Sequence, residues 1–176
     1  MKISRLALGA YALALVVIVL DQLTKAMVLS AIGAEHISHI RDGHRIAEVA
    51  PPVFNLTYVL NTGVSFGLFG GGAGRWILSI FSVLVAGLLA WWATRVDRKL
   101  LILAIGLVMG GAVGNVIDRI RFGGVVDFLD FSGTGLFPWI FNIADSGITI
   151  GVILLILDSF LSERNAAKVG AAPEKS

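Results

Sequence analysis

The residues best suited to chemistry in this sequence are carboxylates and amides set in apolar surroundings. Asp21, Gln22, Thr24 and Lys25 form one group, Asn115, Asp118 and Arg119 a second, and Asn142 and Asp145 a third, while Asp127 stands between Val125-Val126 and Phe128-Leu129. Asp21 and Lys25 are i, i+4; Asn115, Asp118 and Arg119 are i, i+3 and i+4; Asn142 and Asp145 are i, i+3. Each group therefore shares one face if its segment is helical. Two carboxylates close together in a partly dry site cannot both ionise easily, so one is held protonated and the pair shares a proton. The protonated member can polarise a peptide carbonyl while the ionised member takes a proton from water. That is peptide hydrolysis without a metal or a covalent intermediate.

Each group also has a structural reading. Asp21 with Lys25 is equally an ion pair at a helix end, and Asp118 with Arg119 a packing pair. Asp130 and Asp158 read as solvated or interfacial, and Asp97 as plain surface in a basic loop. Asp145 is harder to set aside, because no Lys or Arg lies within a helical turn of it. Other chemistries compete less well. His36, His39 and His44 include a His-x-x-His that could ligate zinc, but they are remote in sequence from the carboxylates. Lys25 with Ser65 or Ser146 could form a Ser–Lys dyad. There is no cysteine, which excludes thiol catalysis and disulfides. No metal or other cofactor is expected, and no long basic run suggests nucleic acid.

The elements that must position these residues follow from composition. The chain is 56% hydrophobic and only 15% charged, against about 25% charged in soluble domains, and its mean hydropathy is +0.86. So apolar a chain of this length suits a bilayer. A spanning helix needs about 20 mostly apolar residues. Four segments qualify, at Leu6–Val28, Trp76–Ala93, Leu100–Ile120 and Trp139–Phe160. The first is read as a retained helix rather than a cleaved signal, because polar Asp21-Gln22-Leu23-Thr24-Lys25 follows its apolar run and Ile32 spoils the small-residue pattern of Ala31-Ile32-Gly33-Ala34. Lys2 and Arg5, then Arg95, Arg98 and Lys99, then Arg164, Lys168 and Lys175 fall on one side of a four-span chain. That side is assigned to the cytoplasm, with both termini. Trp76, Trp91, Trp92 and Trp139 stand at span edges, as an aromatic belt requires.

On the outer side, residues 29–75 contain the β-prone run Val53–Leu60, which predicts a small extracytoplasmic sheet. In residues 121–138, Gly123-Gly124, Gly133, Gly135 and Pro138 are expected to break regular structure. One four-helix membrane domain is placed at residues 1–161, with its outer β-rich segment at about 29–75, and a disordered cytoplasmic tail at 162–176. Asp145 lies six residues past Trp139, about 9 Å at 1.5 Å per residue. Asn115 lies fifteen past Leu100, about 22 Å. The polar groups of three helices thus converge in the outer third of the membrane. Gly106, Gly110 and Gly114 form a small-xxx-small stripe that lets helices approach closely. A proton relay or transporter would distribute ionisable groups through the full depth, yet the inner halves of the last three spans are apolar until the basic loop and tail. A scaffold subunit would not need polar groups gathered at one level.

Five ordered blocks resemble those of the bacterial lipoprotein signal peptidase (signal peptidase II) family. They are Asp21-Gln22-Leu23-Thr24-Lys25, Asn61-Thr62-Gly63-Val64-Ser65-Phe66-Gly67, Gly110-Gly111-Ala112-Val113-Gly114-Asn115-Val116-Ile117-Asp118-Arg119, Val125-Val126-Asp127-Phe128 and Phe141-Asn142-Ile143-Ala144-Asp145-Ser146. The resemblance implies an all-α membrane protein of four transmembrane helices with a small extracytoplasmic β-rich segment. It implies an aspartic endopeptidase of the bacterial inner membrane that cleaves prolipoproteins before a diacylglyceryl-modified cysteine, and inhibition of the globomycin type. Asp127 and Asp145 take the catalytic dyad positions. Asp21, Asn61, Asn115, Arg119 and Asn142 fall on positions that support the dyad or hold substrate, and Lys25 and Asp118 are read as structural. The partners implied are the prolipoprotein and membrane lipid, with the enzyme a monomer. Ser65 departs from an alanine common in the family, and the segment with His36, His39 and His44 matches no block.

Overall fold

The computed structural model describes residues 4–33, 43–63, 73–135 and 137–170, with side chains described as far as residue 164. In chain order the elements are α1 (Arg5–Ile32), β1 (His44–Ala50), β2 (Phe54–Asn61), α2 (Ala73–Ala93), α3 (Lys99–Phe122), β3 (Val125–Asp130), a 3-10 turn (Ser132–Thr134), β4 (Ile140–Phe141) and α4 (Ile143–Gly170). All four α-helices are long and apolar enough to cross a membrane. Large apolar side chains such as Leu15, Phe81, Leu84 and Phe160 point outward, the reverse of a soluble domain.

α3 is the hub, packed against α1, α2 and α4. Its glycines explain why. A Cβ on Gly110 would stand 2.7 Å from the Ala14 carbonyl oxygen and 2.8 Å from Val17 Cβ, so only glycine lets α1 come this close. On the other side of α3, Gly111 lies against the Ala144 backbone and Ile148 of α4, and Gly151 of α4 faces Ala104 and Val108. The expected stripe is thus a packing surface for α1, and Gly111 adds a second one for α4. Close contact of small residues holds such helices by dispersion rather than by bulky interdigitation.

The four strands form one antiparallel sheet in the order β1-β2-β3-β4. Side chains alternate across it. Tyr58, Val126 and Phe128 pack with Val28, Leu29 and Ile32 from the end of α1, which leaves Asp127 on the opposite face. β2 and β3 pair Val59 with Asp127 and Asn61 with Val125, with a bulge between Leu56 and Val59.

The boundaries differ from expectation in instructive places. The expected sheet segment Val53–Leu60 is present as β2, but the sheet also recruits β3 from residues 121–138, where glycines were expected to break regular structure, and β4 from Ile140–Phe141, expected to begin the fourth span. Those glycines bracket the strand instead: Gly123 ends α3 in the left-handed conformation at φ 78°, its N–H donating to the Arg119 carbonyl, and Val125 begins β3. The fourth helix starts at Ile143 rather than Trp139, because Ile140 and Phe141 pair with β3. Its C-terminal end runs to Gly170, through the Ala-containing segment read as a disordered tail; residues 171–176 lie outside the described residues.

Candidate active site

The site is assembled where α1, α3, β3 and the start of α4 meet. Asn142 caps α4: its carbonyl accepts from Ser146 N–H at 3.1 Å and its Oδ1 accepts from Asp145 N–H at 2.8 Å. Its Nδ2 meanwhile donates to Asp127 Oδ1 at 2.7 Å and to the Val126 carbonyl at 3.2 Å. One buried amide therefore orients both aspartates. Asn61, at the end of β2, donates to Asp127 Oδ2 at 3.1 Å. Asn115 of α3 donates to Asp145 Oδ1 at 2.8 Å.

Behind these lies a buried ionic cluster. Lys25 Nζ is 2.8 Å from Asp21 Oδ2 and 2.8 Å from Asp118 Oδ2. Asp21 Oδ1 accepts the Ala144 N–H at 3.0 Å, and Asp118 Oδ2 accepts the Val126 N–H at 3.0 Å. Gln22 donates to Asp118 Oδ1 at 2.9 Å. Gly114 makes room for this, since a Cβ there would sit 2.8 Å from Asp21 Oδ2. Arg119 is half-buried and acts electrostatically on Asp145, Asp118 and Asp127.

Two aspartates of β3 show what surroundings do to a carboxyl. Burial, and then the charge of Asp145, push Asp127 up to about 7, against hydrogen bonds from Asn61 and Asn142 and the positive field of Lys25. Burial also opposes ionisation of Asp130, but there hydrogen bonds from Ser132 and Thr57 prevail and hold the carboxyl below its usual range. Asp130 is buried and fully engaged; Asp127 is poised to exchange a proton near neutrality. Asp145 is half-buried and lines a cavity of about 320 Å³ with Phe137, Trp139, Phe141, Ser146 and Ile150. Phe137 packs edge-on against Phe141, and Phe141 stacks on Phe131, giving that wall a rigid aromatic backing.

The expected site residues meet here. Asp21, Lys25, Asn61, Asn115, Asp118, Asn142, Asp127 and Asp145 form one connected network, with Arg119 beside it. Asn142 and Asp145 are related as helix cap and third helical residue, not as neighbours on one helix face. Asp118 pairs with Lys25, not with Arg119 in a packing pair. Asp130 and Asp158, read as solvated or interfacial, are both buried, and Asp158 pairs with Arg98 at 2.9 Å. The Ser146 hydroxyl donates to the Asn142 carbonyl, away from Lys25; Ser65, His36 and His39 lie outside the described residues. Among the described residues no cluster of three metal-ligating side chains is present, and His44 sits exposed at the start of β1. Gln22 and Gly111 carry packing and bonding roles that the sequence reading did not assign; Gln22 shares the i, i+3 face of Lys25, which was the available signal.

This arrangement can be set beside known proteins. The family model described as signal peptidase (SPase) II matches residues 13–161. The chain is similar to the lipoprotein signal peptidase of Caulobacter vibrioides, at 48% identity over 167 residues covering 94% of each chain. It is likewise similar to that of Sphingopyxis alaskensis, at 38% identity over 163 residues covering 91% of this chain and 90% of the other. Two solved structures, each described as a bacterial membrane enzyme, superpose well. One gives a TM-score of 0.69 at 34% identity, over 85% of this chain and 91% of the other. The second gives 0.70 at 30% identity, over 96% and 94%. With its polar blocks gathered on one network and its whole helical core matched, the chain belongs to the signal peptidase II family.

Proposed function

We propose that this protein is a membrane-embedded aspartic endopeptidase that removes signal peptides from diacylglyceryl-modified prolipoproteins, with Asp127 and Asp145 as its catalytic pair. The observation that carries the reading is the shared amide. Asn142 donates to Asp127 and accepts from the backbone of Asp145, so the two carboxyls are oriented as one unit. Their charges interact, and Asp127 is raised to about 7. A pair of this kind holds one proton near neutral pH, and that proton belongs to the pair.

On this reading hydrolysis runs as general acid–base catalysis by the pair. The ionised carboxylate takes a proton from a water molecule as the water oxygen attacks the carbonyl carbon on the N-terminal side of the lipid-modified cysteine. The protonated carboxyl donates to the carbonyl oxygen, giving a neutral gem-diol. Collapse breaks the C–N bond, a proton passes to the leaving amine, and the pair returns to its singly protonated state. Asn61, Asn115 and Asn142 keep the carboxyl planes fixed, and Arg119 places positive charge beside them. The four apolar helices support a multi-pass position in the bacterial inner membrane. The basic loop between α2 and α3 supports cytoplasmic termini and a site near the outer face. The cavity beside Asp145 would then open towards lipid, where a signal peptide can arrive laterally.

Purified Asp127→Asn and Asp145→Asn variants, assayed in detergent on a diacylglyceryl-modified prolipoprotein with folding monitored, test this. Each is expected to lose cleavage by at least about 10³-fold, while a chelator leaves the wild type active. A folded variant with near-normal cleavage, or loss of wild-type activity on chelation, contradicts the reading.

A further inference from the structure

We propose that Lys25 is the positioning residue of the carboxylate pair, a buried cation that ties together the backbone anchors of Asp127 and Asp145. This inference rests on the catalytic reading of those two residues. The connection is symmetrical. On one side Lys25 Nζ meets Asp21 at 2.8 Å, and Asp21 holds the N–H of Ala144, the residue before Asp145. On the other side it meets Asp118 at 2.8 Å, and Asp118 holds the N–H of Val126, the residue before Asp127. A third contact runs to Asn115 Oδ1 at 3.4 Å, and Asn115 donates to Asp145 itself.

A purely structural ion pair does not account for this pattern. Glycine packing already brings α1 against α3, and apolar residues of similar volume stabilise a core at least as well as buried ions. The cluster instead fixes two peptide N–H groups that each precede a catalytic carboxyl. The charge of Lys25 also reaches both carboxyls of the pair. Lys25 meets Asp21 from α1 and Asn115 and Asp118 from α3 directly and acts on Asp127 from β3 and Asp145 from α4 through its charge. Gln22 bonds to Asp21 and Asp118, and Arg119 acts on Asp118, Asp127 and Asp145. Arg121 adds a more distant positive charge through Gln22, whose Oε1 it meets at 3.3 Å. Lys25 and Arg119 thus face four carboxylates, and removing Lys25 leaves Arg119 alone against them. A working pair must keep one negative charge among these neighbours. Lys25 makes that charge tolerable while its hydrogen bonds set where the two carboxyls stand.

The test uses the full-length protein in detergent with a diacylglyceryl-modified prolipoprotein. Lys25→Met alone leaves Asp21 and Asp118 buried face to face and is expected to misfold. The double variant Lys25→Met, Asp118→Asn keeps the net charge of the cluster and leaves an amide oxygen to accept from Val126. It is expected to fold, with kcat reduced at least about tenfold, KM within about twofold, and the acid limb of the kcat profile moved up by about one pH unit. Lys25, and not Asp118, is among the charges that act most strongly on the two carboxyls, so the lost cation sets the sign and the pair takes up its second proton at higher pH. Lys25→Arg keeps the charge and alters the geometry, so it is expected to restore the limb to its wild-type pH at reduced kcat. A folded double variant with wild-type kcat and an unmoved limb overturns the inference, even if its thermal stability falls. Should the double variant not fold, Lys25→Arg with wild-type kcat overturns it and reduced kcat with an unmoved limb supports it. Asp127→Asn and Asp145→Asn are run alongside. If either remains active the pair itself is wrong; if both are inactive and the Lys25 variants are normal, only the role of Lys25 fails.

Discussion

At the end of the bundle away from the sheet, Ala7, Ala10 and Ala93 pack with Leu89, Leu101, Ile102 and Ile105. Among the described residues, the side-chain polar bonds that join distant segments there are those of the Tyr11 hydroxyl, donating to the Ala90 carbonyl at 2.9 Å, and of Arg98 with Asp158. At the sheet end, Asp21, Lys25, Asn115, Asp118, Asp127 and Asn142 are all nearly inaccessible and bond to one another across three helices and a strand. The same helices serve both ends, so helix packing does not require the polar network. Buried ionic groups add little net stability over apolar ones, which leaves orientation of reactive groups as the return on burying them. The difference should therefore appear as activity lost at one end and only stability lost at the other.

Outside the carboxyl pair itself, the largest expected effect is at Asn142. Asn142→Ala removes the cap of α4 and the bond to Asp127 together, and cleavage by the folded protein should fall by about 10²- to 10³-fold. Retention of activity would mean that the two carboxyls are not oriented as a unit. A smaller effect is expected at Asn61, whose hydrogen bond lowers the Asp127 value. Asn61→Ala raises it, so the alkaline limb of the rate profile, where the shared proton is lost, should move to higher pH with rates reduced about tenfold. A limb moving downward or not at all would show that Asp127 does not govern it. The smallest effect belongs to the opposite end. Arg98 is 45% exposed, so solvent screens its pair, and Asp158→Asn should cost no more than about 1 kcal/mol in unfolding, with activity changed less than about twofold. A tenfold rate loss there would erase the contrast.

Much of this contrast was legible in the sequence. Apolar run length identified four helices, and the i, i+3 and i+4 spacings gathered the polar residues of α1 and α3 correctly. The start of α4 was misread because Trp139-Ile140-Phe141 is as apolar as the helix that follows. Hydropathy cannot tell a two-residue strand from a first helical turn, but Asn142 and Asp145 carried the capping spacing that does. Residues 121–138 were misread for the opposite reason. Glycines were counted as breakers although Val125–Asp130 between them is β-prone. The partners of Asp118, Asp130 and Asp158 depend on contacts between distant segments, such as Thr57 with Asp130, which is bonded at 2.6 Å across 73 residues. No local spacing encodes those. The aspartyl assignment itself came from family resemblance, since spacing alone left several carboxylates eligible.

The most direct test of the central claim is a double-mutant cycle on cleavage of a diacylglyceryl-modified prolipoprotein, comparing Asp127→Asn, Asp145→Asn and the combined variant, all verified as folded. Residues that act as one unit are strongly non-additive. The expected result is that each single variant loses nearly all activity and the combined variant loses no more than about threefold beyond either one. Rate losses that multiply, or a single variant that still cleaves at close to the wild-type rate, would contradict a catalytic pair.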